Sequence, residues 1–506
     1  MTMRFAITTF VSAIMLLGHV CAWGQGKIVS FDYKADMRSV YPGTERNIKV
    51  YVPQQYEQGK PACLFVGLDG IICNAPKVFD KLIAEGKMPV TIGIFIQPGR
   101  IKGKDGQVIR YNRSNEFDFT DGRFAGFIND EIIPLAEKEA GIIISKNPDD
   151  RGIFGLSSGG IAAFNAAWMR PDLFRRVFSG VGTFVSMRGG NDLQMFVRKC
   201  EPKPLRIFLQ DGSNDVWNAT FGHWYEANQM LSTALDFAGY DTKYDWSDEY
   251  HSGNRADVIF EEVMVWMWRN YPEPVQAGIT KNDFLNKYLY RDGEKTPFNP
   301  LSVSGTDQWV REEQIDMTLP GTFTIESIAQ GNGRSLTSKR TYYSADYPDG
   351  SFTALEKSFF WNETETNCLW QAVTGEKSPL THEQRFYWLH SYGNTLVSKG
   401  PMVFDSKGNL FVLTDIGIQV CDQNGRVRFI LEIPDQVRKA LLDDNGPHLP
   451  ELQKDGRAKE YTRQLLTMYI AEGKIIITDR KSFTYSRRLN ISPAVKGQRP
   501  KSQGQG

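Results

Sequence analysis

The residues of this chain best placed to do chemistry lie in the stretch Arg151-Gly-Ile-Phe-Gly-Leu-Ser-Ser-Gly-Gly-Ile-Ala-Ala-Phe-Asn-Ala-Ala. Within it, Gly155-Leu156-Ser157-Ser158-Gly159 is a G-x-S-x-G pentapeptide, with an apolar run before it and a small-residue helical run after it. That context predicts a strand, a sharp turn carrying Ser157, and a helix. The glycines at 155 and 159 leave room for strand and helix to approach, so Ser157 can hold a strained conformation with its hydroxyl exposed. The helix directs its first N–H groups and positive dipole end toward the point where an oxyanion would develop. The chemistry implied is nucleophilic attack on an acyl carbon. The plain alternative is a structural turn in a chain of 46 glycines.

A nucleophilic serine needs a base, and the chain has six histidines: His19, His223, His251, His382, His390 and His448. His19 falls in a segment expected to be removed, and the last three fall in what reads as a second domain. His223 opens an amphipathic stretch that predicts a helix, where a histidine is more often a solvated surface residue. His251 follows the strand-like Asp241-Thr-Lys-Tyr-Asp-Trp and precedes a long helix from Ala256 to Trp268. A loop after a late strand is where this architecture holds its base, so His251 is preferred to His223. The acid is expected between serine and histidine in chain order, after the buried run Leu205-Arg-Ile-Phe-Leu-Gln. Asp211 and Asp215 both qualify there; Asp215 lies past the glycine turn and is preferred, with Asp211 as the alternative. Such a carboxylate fixes the imidazole tautomer and stabilises the imidazolium.

The elements that must position these groups are legible as alternating types. Ala62-Cys-Leu-Phe-Val-Gly-Leu, Val90–Ile96, Ile153–Phe154 and Ile207–Leu209 are continuous apolar runs, as in parallel strands buried on both faces. Amphipathic stretches such as Phe127-Ile-Asn-Asp-Glu-Ile-Ile-Pro-Leu-Ala-Glu-Lys lie between them. The alternation predicts an α/β domain with a mostly parallel sheet and helices on both faces. Glu116 and Asp118 fall in a loop near the predicted site, where they would orient substrate or, the preferred reading, brace the loop.

Asn47 to Pro272 resembles the esterase family that includes enterochelin esterase, esterase D and feruloyl and acetylxylan esterases, within the α/β-hydrolase superfamily. The matching pieces are Tyr51-Val-Pro, Leu68-Asp-Gly, Arg113-Ser-Asn-Glu-Phe-Asp, Glu131-Ile-Ile-Pro, Gly155-Leu-Ser-Ser-Gly-Gly, Asp211-Gly-Ser-Asn-Asp and His251. The resemblance implies a Ser157–Asp215–His251 triad. It also implies an oxyanion hole built from the backbone N–H of Ser158 and that of Gly70 or Ile71. No cofactor is implied.

At 506 residues the chain is too long for one core, and two or three domains are expected. Lys and Arg total 59, as do Asp and Glu, so no basic excess suggests nucleic acid. A positive start, an apolar run from Phe5 to Val20 and the small-residue pattern Val20-Cys-Ala22 predict a signal peptide over residues 1–22. Export to the periplasm or medium is therefore expected, with no membrane span after its removal. The five remaining cysteines do not suggest a disulfide framework, although a Cys63–Cys73 pair is conceivable. The esterase domain is placed at residues 27–274, with a linker or docking segment at 275–300.

From residue 301 to 490 short β-like runs alternate with turns, of which Asp405-Ser-Lys-Gly and Asp422-Gln-Asn-Gly are strong hairpin signals. The pattern predicts a mainly β domain, a partial or degenerate propeller or a sandwich, with a helical insertion between Gln436 and Ile470 and a flexible tail over 491–506. Gly400-Pro-Met-Val-Phe-Asp-Ser-Lys-Gly through Arg426-Val-Arg-Phe-Ile-Leu resembles a blade of the gluconolactonase-like propellers. That family resembles metal-dependent lactonases. Here Lys399 stands where an acidic metal ligand is expected, and an ammonium cannot coordinate a cation, so no metal site is assigned. The leading functional reading is a serine esterase acting on acyl or aryl esters of carbohydrate-linked substrates. The alternatives are an esterase fused to a metal-dependent lactonase and a non-catalytic carbohydrate-binding protein.

Overall fold

Pro61–Leu68, Thr91–Ile96, Arg151–Leu156, Arg176–Gly180 and Arg206–Gly212 are almost wholly buried strands in the computed structural model. The structure describes residues 25–289, 309–312, 322–331, 334–345, 358–362, 366–375, 378–393, 395–445, 466–479 and 482–492. The predicted signal segment lies outside these residues. The five strands sit inside an 11-stranded sheet. Six strands run parallel in the order 241–247, 206–212, 176–180, 151–156, 61–68 and 91–96. Antiparallel strands at 45–52, 100–102 and 108–111 extend the edge beyond 91–96.

Strand alternation sorts the core into two faces. Phe65, Phe154, Phe178 and Phe208 point to one side, where they meet Phe79 and Phe260 of the helices Ala75–Ala84 and Asn254–Met267. Register sets Phe154 opposite Phe178, and their rings stack with centroids 4.7 Å apart. Leu64, Val66, Ile153, Val177 and Ile207 point to the other side, toward the helices Ser158–Met169 and Trp224–Ala238. Ala162, Ala163, Ala166 and Ala167 of the first of these are at most 2% exposed, and their small size lets the helix lie close on the sheet. The helix expected over 127–138 is present, but its turn at Ile128–Ile132 is π-wound between Arg123–Phe127 and Ile133–Ala140. Pro134 offers no N–H to continue the regular ladder there.

The C-terminal part consists mostly of strands in small antiparallel sheets, as expected. One is a four-strand meander, Lys399–Phe404, Leu410–Thr414, Gly417–Cys421 and Val427–Leu431, with both anticipated hairpin turns in place. A second joins Trp309–Glu312, Thr484–Arg488, Lys474–Thr478 and Thr467–Ala471, and a third holds five strands between residues 322 and 388. The expected helical insertion begins as Asp435–Asn445, the part from 446 to 465 lies outside the described residues, and its far end is corrected: Thr467–Ala471 is a strand, not a helix.

Of the linker and docking readings for 275–300, the described residues show packing: Val275 is buried, and Leu285 and Tyr288 of the helix Asp283–Tyr288 join the core of the C-terminal sheets. Their apolar side chains, spaced one helical turn apart, were the missed signal. The conceivable Cys63–Cys73 disulfide is not formed; Cys63, Cys73, Cys200, Cys368 and Cys421 are all buried thiols. The two parts of the chain also meet through a buried ion pair. Arg487 donates twice to Glu201 at 2.6 Å, with both side chains at most 2% exposed.

Candidate active site

Ser157 sits where the strand Arg151–Leu156 turns into the helix Ser158–Met169, with φ 58° and ψ −121°. A non-glycine residue in this region costs of order 1–3 kcal/mol and persists only where its neighbours enforce it. The enforcement is visible. Ser157 N donates to Gly180 O at 2.9 Å, and its carbonyl accepts from Gly160, Ile161 and Thr183 N–H groups. A Cβ on Gly155 would stand 2.3 Å from the Gly159 carbonyl oxygen, so only glycine permits this strand-to-helix approach.

The structure brings Ser157, His251 and Asp215 together from three separate connections. Asp215 follows the strand Arg206–Gly212, and His251 lies between the strand Asp241–Ser247 and the helix Asn254–Met267. His251 Nδ1 is 2.7 Å from Asp215 Oδ1, and His251 Nε2 is 2.9 Å from Ser157 Oγ. An ionised carboxylate only accepts, so Nδ1 carries the proton and Nε2 is left to accept from the serine hydroxyl. Trp224 packs its ring edge-on against His251 at 5.8 Å and donates through Nε1 to Thr183 Oγ1, which lies 3.3 Å from Ser157 Oγ. His223 occupies the N-cap position of the helix Trp224–Ala238 without a side-chain capping hydrogen bond, and its Nδ1 is buried without a partner among the described residues.

Asp211, the alternative acid, is fully buried directly behind the Asp215–His251 pair. It accepts from Gly212 N and from Asn228 Nδ2, each at 2.7 Å. Burial, reinforced by the adjoining Asp215 carboxylate, pushes its pKa up to about 9. Asp215 moves the other way. Burial opposes its ionisation, but hydrogen bonds from His251, Asp211 and the Val216 N–H hold it below the ordinary carboxylate value. Asp215 Oδ2 has no donor unless Asp211 carries a proton, because two carboxylates can only accept. One proton therefore serves the pair, on Asp211, and Asp215 stays anionic toward His251.

The candidate oxyanion donors separate by their existing bonds. Ser158 is the first residue of its helix, so its N–H has no intrahelical partner. Gly70 N already donates to Ile96 O at 3.2 Å, whereas Ile71 N bonds to no backbone carbonyl among the described residues. The loop bearing them is tied to the serine turn by a residue that sequence reasoning gave no role. Arg113 donates from Nε and an Nη to the two oxygens of Asp69, both at 2.7 Å, and from an Nη to Leu156 O at 3.2 Å. Glu116 lies within a short helix, Arg113–Phe117, and Asp118 is its C-cap, so neither sits in an open loop. Glu116 is a brace, taking a bidentate pair from Arg46 at 2.7 and 2.8 Å with both side chains fully buried. Asp118 is buried beside Ser114 and Ser158, and burial raises its pKa. Lys399 is buried at the start of its strand and donates to the Thr366 carbonyl. Among the described residues no His, Cys, Asp and Glu cluster has metal-binding geometry.

Fold and site together define an α/β-hydrolase-like domain with a serine–histidine–aspartate arrangement at the end of its central strand. Residues 39–258 match the family model described as "Putative esterase". The match supports an ester hydrolase. A ferulic acid esterase structure is 17% identical, covering 48% of this chain and 98% of its own, with a TM-score of 0.37. The enterobactin esterase of Shigella flexneri, in the presence of enterobactin, is also 17% identical, with a TM-score of 0.38. The alignment takes in 48% of this chain and 59% of the Shigella protein. The feruloyl esterase module of Clostridium thermocellum is 13% identical over 49% of this chain and 90% of its own, with a TM-score of 0.35. Comparison with curated protein sequences gives no match. Similarities this low leave the family match and the site's own geometry as the grounds for a functional reading. The family match stops at residue 258 and does not extend to the C-terminal part of the chain.

Proposed function

We propose that this protein is an exported serine esterase that cleaves acyl or aryl esters, with carbohydrate-linked esters as the leading substrate class. The observation that carries the reading is the unbroken hydrogen-bond chain Asp215–His251–Ser157, ending at a strained serine on a helix N-terminus. Ser157 Oγ attacks the ester carbonyl while its proton passes to His251 Nε2. Asp215 holds the imidazole and stabilises the imidazolium. The Ser158 N–H and the Ile71 N–H receive the oxyanion. His251 then returns the proton to the departing alcohol oxygen, and water, activated by the same imidazole, releases the acid and restores Ser157. The acyl group would extend toward the cavity of about 180 Å³ whose wall includes Phe184 and His223, chain neighbours of Thr183 and Trp224, which contact Ser157 and His251. Export rests on the N-terminal apolar segment alone.

The test is turnover of p-nitrophenyl acetate and of acetylated and feruloylated oligosaccharides by the wild type and Ser157→Ala. Loss of about 10⁴-fold in kcat, with unchanged folding, supports the reading. Turnover near the wild-type rate in the variant rejects it.

A further inference from the structure

Away from the serine, a cleft of about 510 Å³ opens between the esterase part and the meander sheet. Its walls bring Lys199, at the end of the helix Leu193–Lys199, together with Arg426, Arg428, Asn424, Trp388 and His390. We propose that this cleft is a binding site for a ring bearing a carboxylate, held by Lys199 and Arg426 with its flat face on Trp388.

The charge pattern points to an anion. Lys199 Nζ lies 2.6 Å from His390 Nε2, and no carboxylate pairs with the lysine among the described residues. The imidazole must be neutral to accept that bond. Burial and the nearby ammonium accordingly lower the His390 pKa to about 4, and burial lowers that of Lys199. A half-buried ammonium with only a neutral partner is an uncompensated charge, which a bound anion would relieve. Asp422, the carboxylate paired with the cleft's arginines, is shared by both: Arg426 reaches it at 2.8 and 3.0 Å and Arg428 at 3.1 Å. Within the cleft lining, Lys199, Arg426 and Arg428 thus share one paired carboxylate among the described residues. Arg428 is further committed, its guanidinium lying 4.0 Å over the Phe284 ring. Arg426 is not: its side chain is 62% exposed and can turn a guanidinium edge to a ligand carboxylate.

The aromatic wall supplies the rest. Trp388 is a large apolar side chain left 60% exposed at the end of the strand Ser378–Trp388, bridged to Arg426 through the backbone. An indole face beside cations suits a planar or pyranose ring with an acidic substituent. The turn that presents Asn424 and Arg426 is held in place by Gly425, with φ +76°, whose Cβ position is 2.3 Å from the Phe386 carbonyl oxygen. The wall is thus built by contact between two sheets rather than by a loose loop. The site shares no lining residue with the cavity walled by Phe184 and His223.

Calorimetric titration of the full chain tests this with glucuronate, benzoate, glucose and acetate. Saturable binding of glucuronate or benzoate is expected, with glucose and acetate binding at least about tenfold more weakly. Which of the two carboxylates binds more tightly distinguishes a sugar acid from an aryl acid as the ligand. Lys199→Met and Arg426→Ala should each weaken that binding about tenfold or more and leave p-nitrophenyl acetate hydrolysis unchanged. Trp388→Ala should weaken binding while its circular dichroism matches the wild type. The proposal is overturned if neither ring carboxylate binds, if acetate or glucose binds equally well, or if Lys199→Met and Arg426→Ala both bind like the wild type.

Discussion

Replacing Asp211 by Asn separates a proton-sharing pair from an ordinary buried acid. In the native chain Asp211 keeps its proton up to about pH 9, whereas in the unfolded chain it ionises at the ordinary carboxylate value of 3.8. Between those values folding takes up a proton, so this residue's contribution to stability is fully present at low pH and declines as pH rises. One proton sets the limiting slope at about 1.4 kcal/mol per pH unit. An asparagine does not titrate, and its amide can still donate to Asp215 Oδ2. Its nitrogen must face one of two existing donors, Gly212 N or Asn228 Nδ2. Asn228 can yield, because its Nδ2 also donates to Gly182 O at 2.8 Å and to Trp224 O at 3.1 Å. The substitution thus loses one hydrogen bond, about 1 kcal/mol. The wild type should be the more stable protein near pH 3.5 and the less stable one near pH 9, with the curves crossing at about pH 4.5, where the declining proton contribution equals the lost hydrogen bond. Thermal or urea unfolding at one-unit steps from pH 3.5 to 9 measures this. Parallel curves over that range would mean that Asp211 is ionised in the native state and that no proton is shared.

Three further outcomes follow from the geometry. Asp211→Ala leaves Asp215 Oδ2 buried without a donor, which should cost about 1–3 kcal/mol and lower kcat more than Asp211→Asn does. His251→Ala should match Ser157→Ala in residual activity, and the double variant should lose little more, since the residues act as a unit; full additivity would contradict this. Arg487→Met strands the buried Glu201 carboxylate and should destabilise the protein by about 3–5 kcal/mol in urea unfolding, with a loss under 1 kcal/mol arguing against the pair.

Ser157 and Asp215 follow buried strands and His251 a half-buried one, each before a turn or helix, a context that local composition reports. The preference for Asp215 over Asp211 was read from its place past the glycine turn, but the proton that Asp211 supplies to Asp215 was not legible, since it depends on tertiary contacts. The Arg113–Asp69 pair spans 44 positions, and the Arg46–Glu116 brace spans 70. Pairings of that separation leave no periodic trace. The individual strands of the C-terminal part were readable from hairpin turns such as Asp422-Gln-Asn-Gly. Its sheet partnerships were not: Trp309–Glu312 pairs with Thr484–Arg488 from the far end of the chain.

The central claim is that Ser157 is an activated nucleophile, and covalent labelling tests it most directly. A fluorophosphonate reacts with a serine only when a neighbouring base removes its proton and donors hold the resulting oxyanion. Peptide mass spectrometry after labelling should place one adduct on Ser157, absent from Ser157→Ala and strongly slowed in His251→Ala. An adduct on another residue, or none on a protein that still turns over p-nitrophenyl esters, would contradict the assignment.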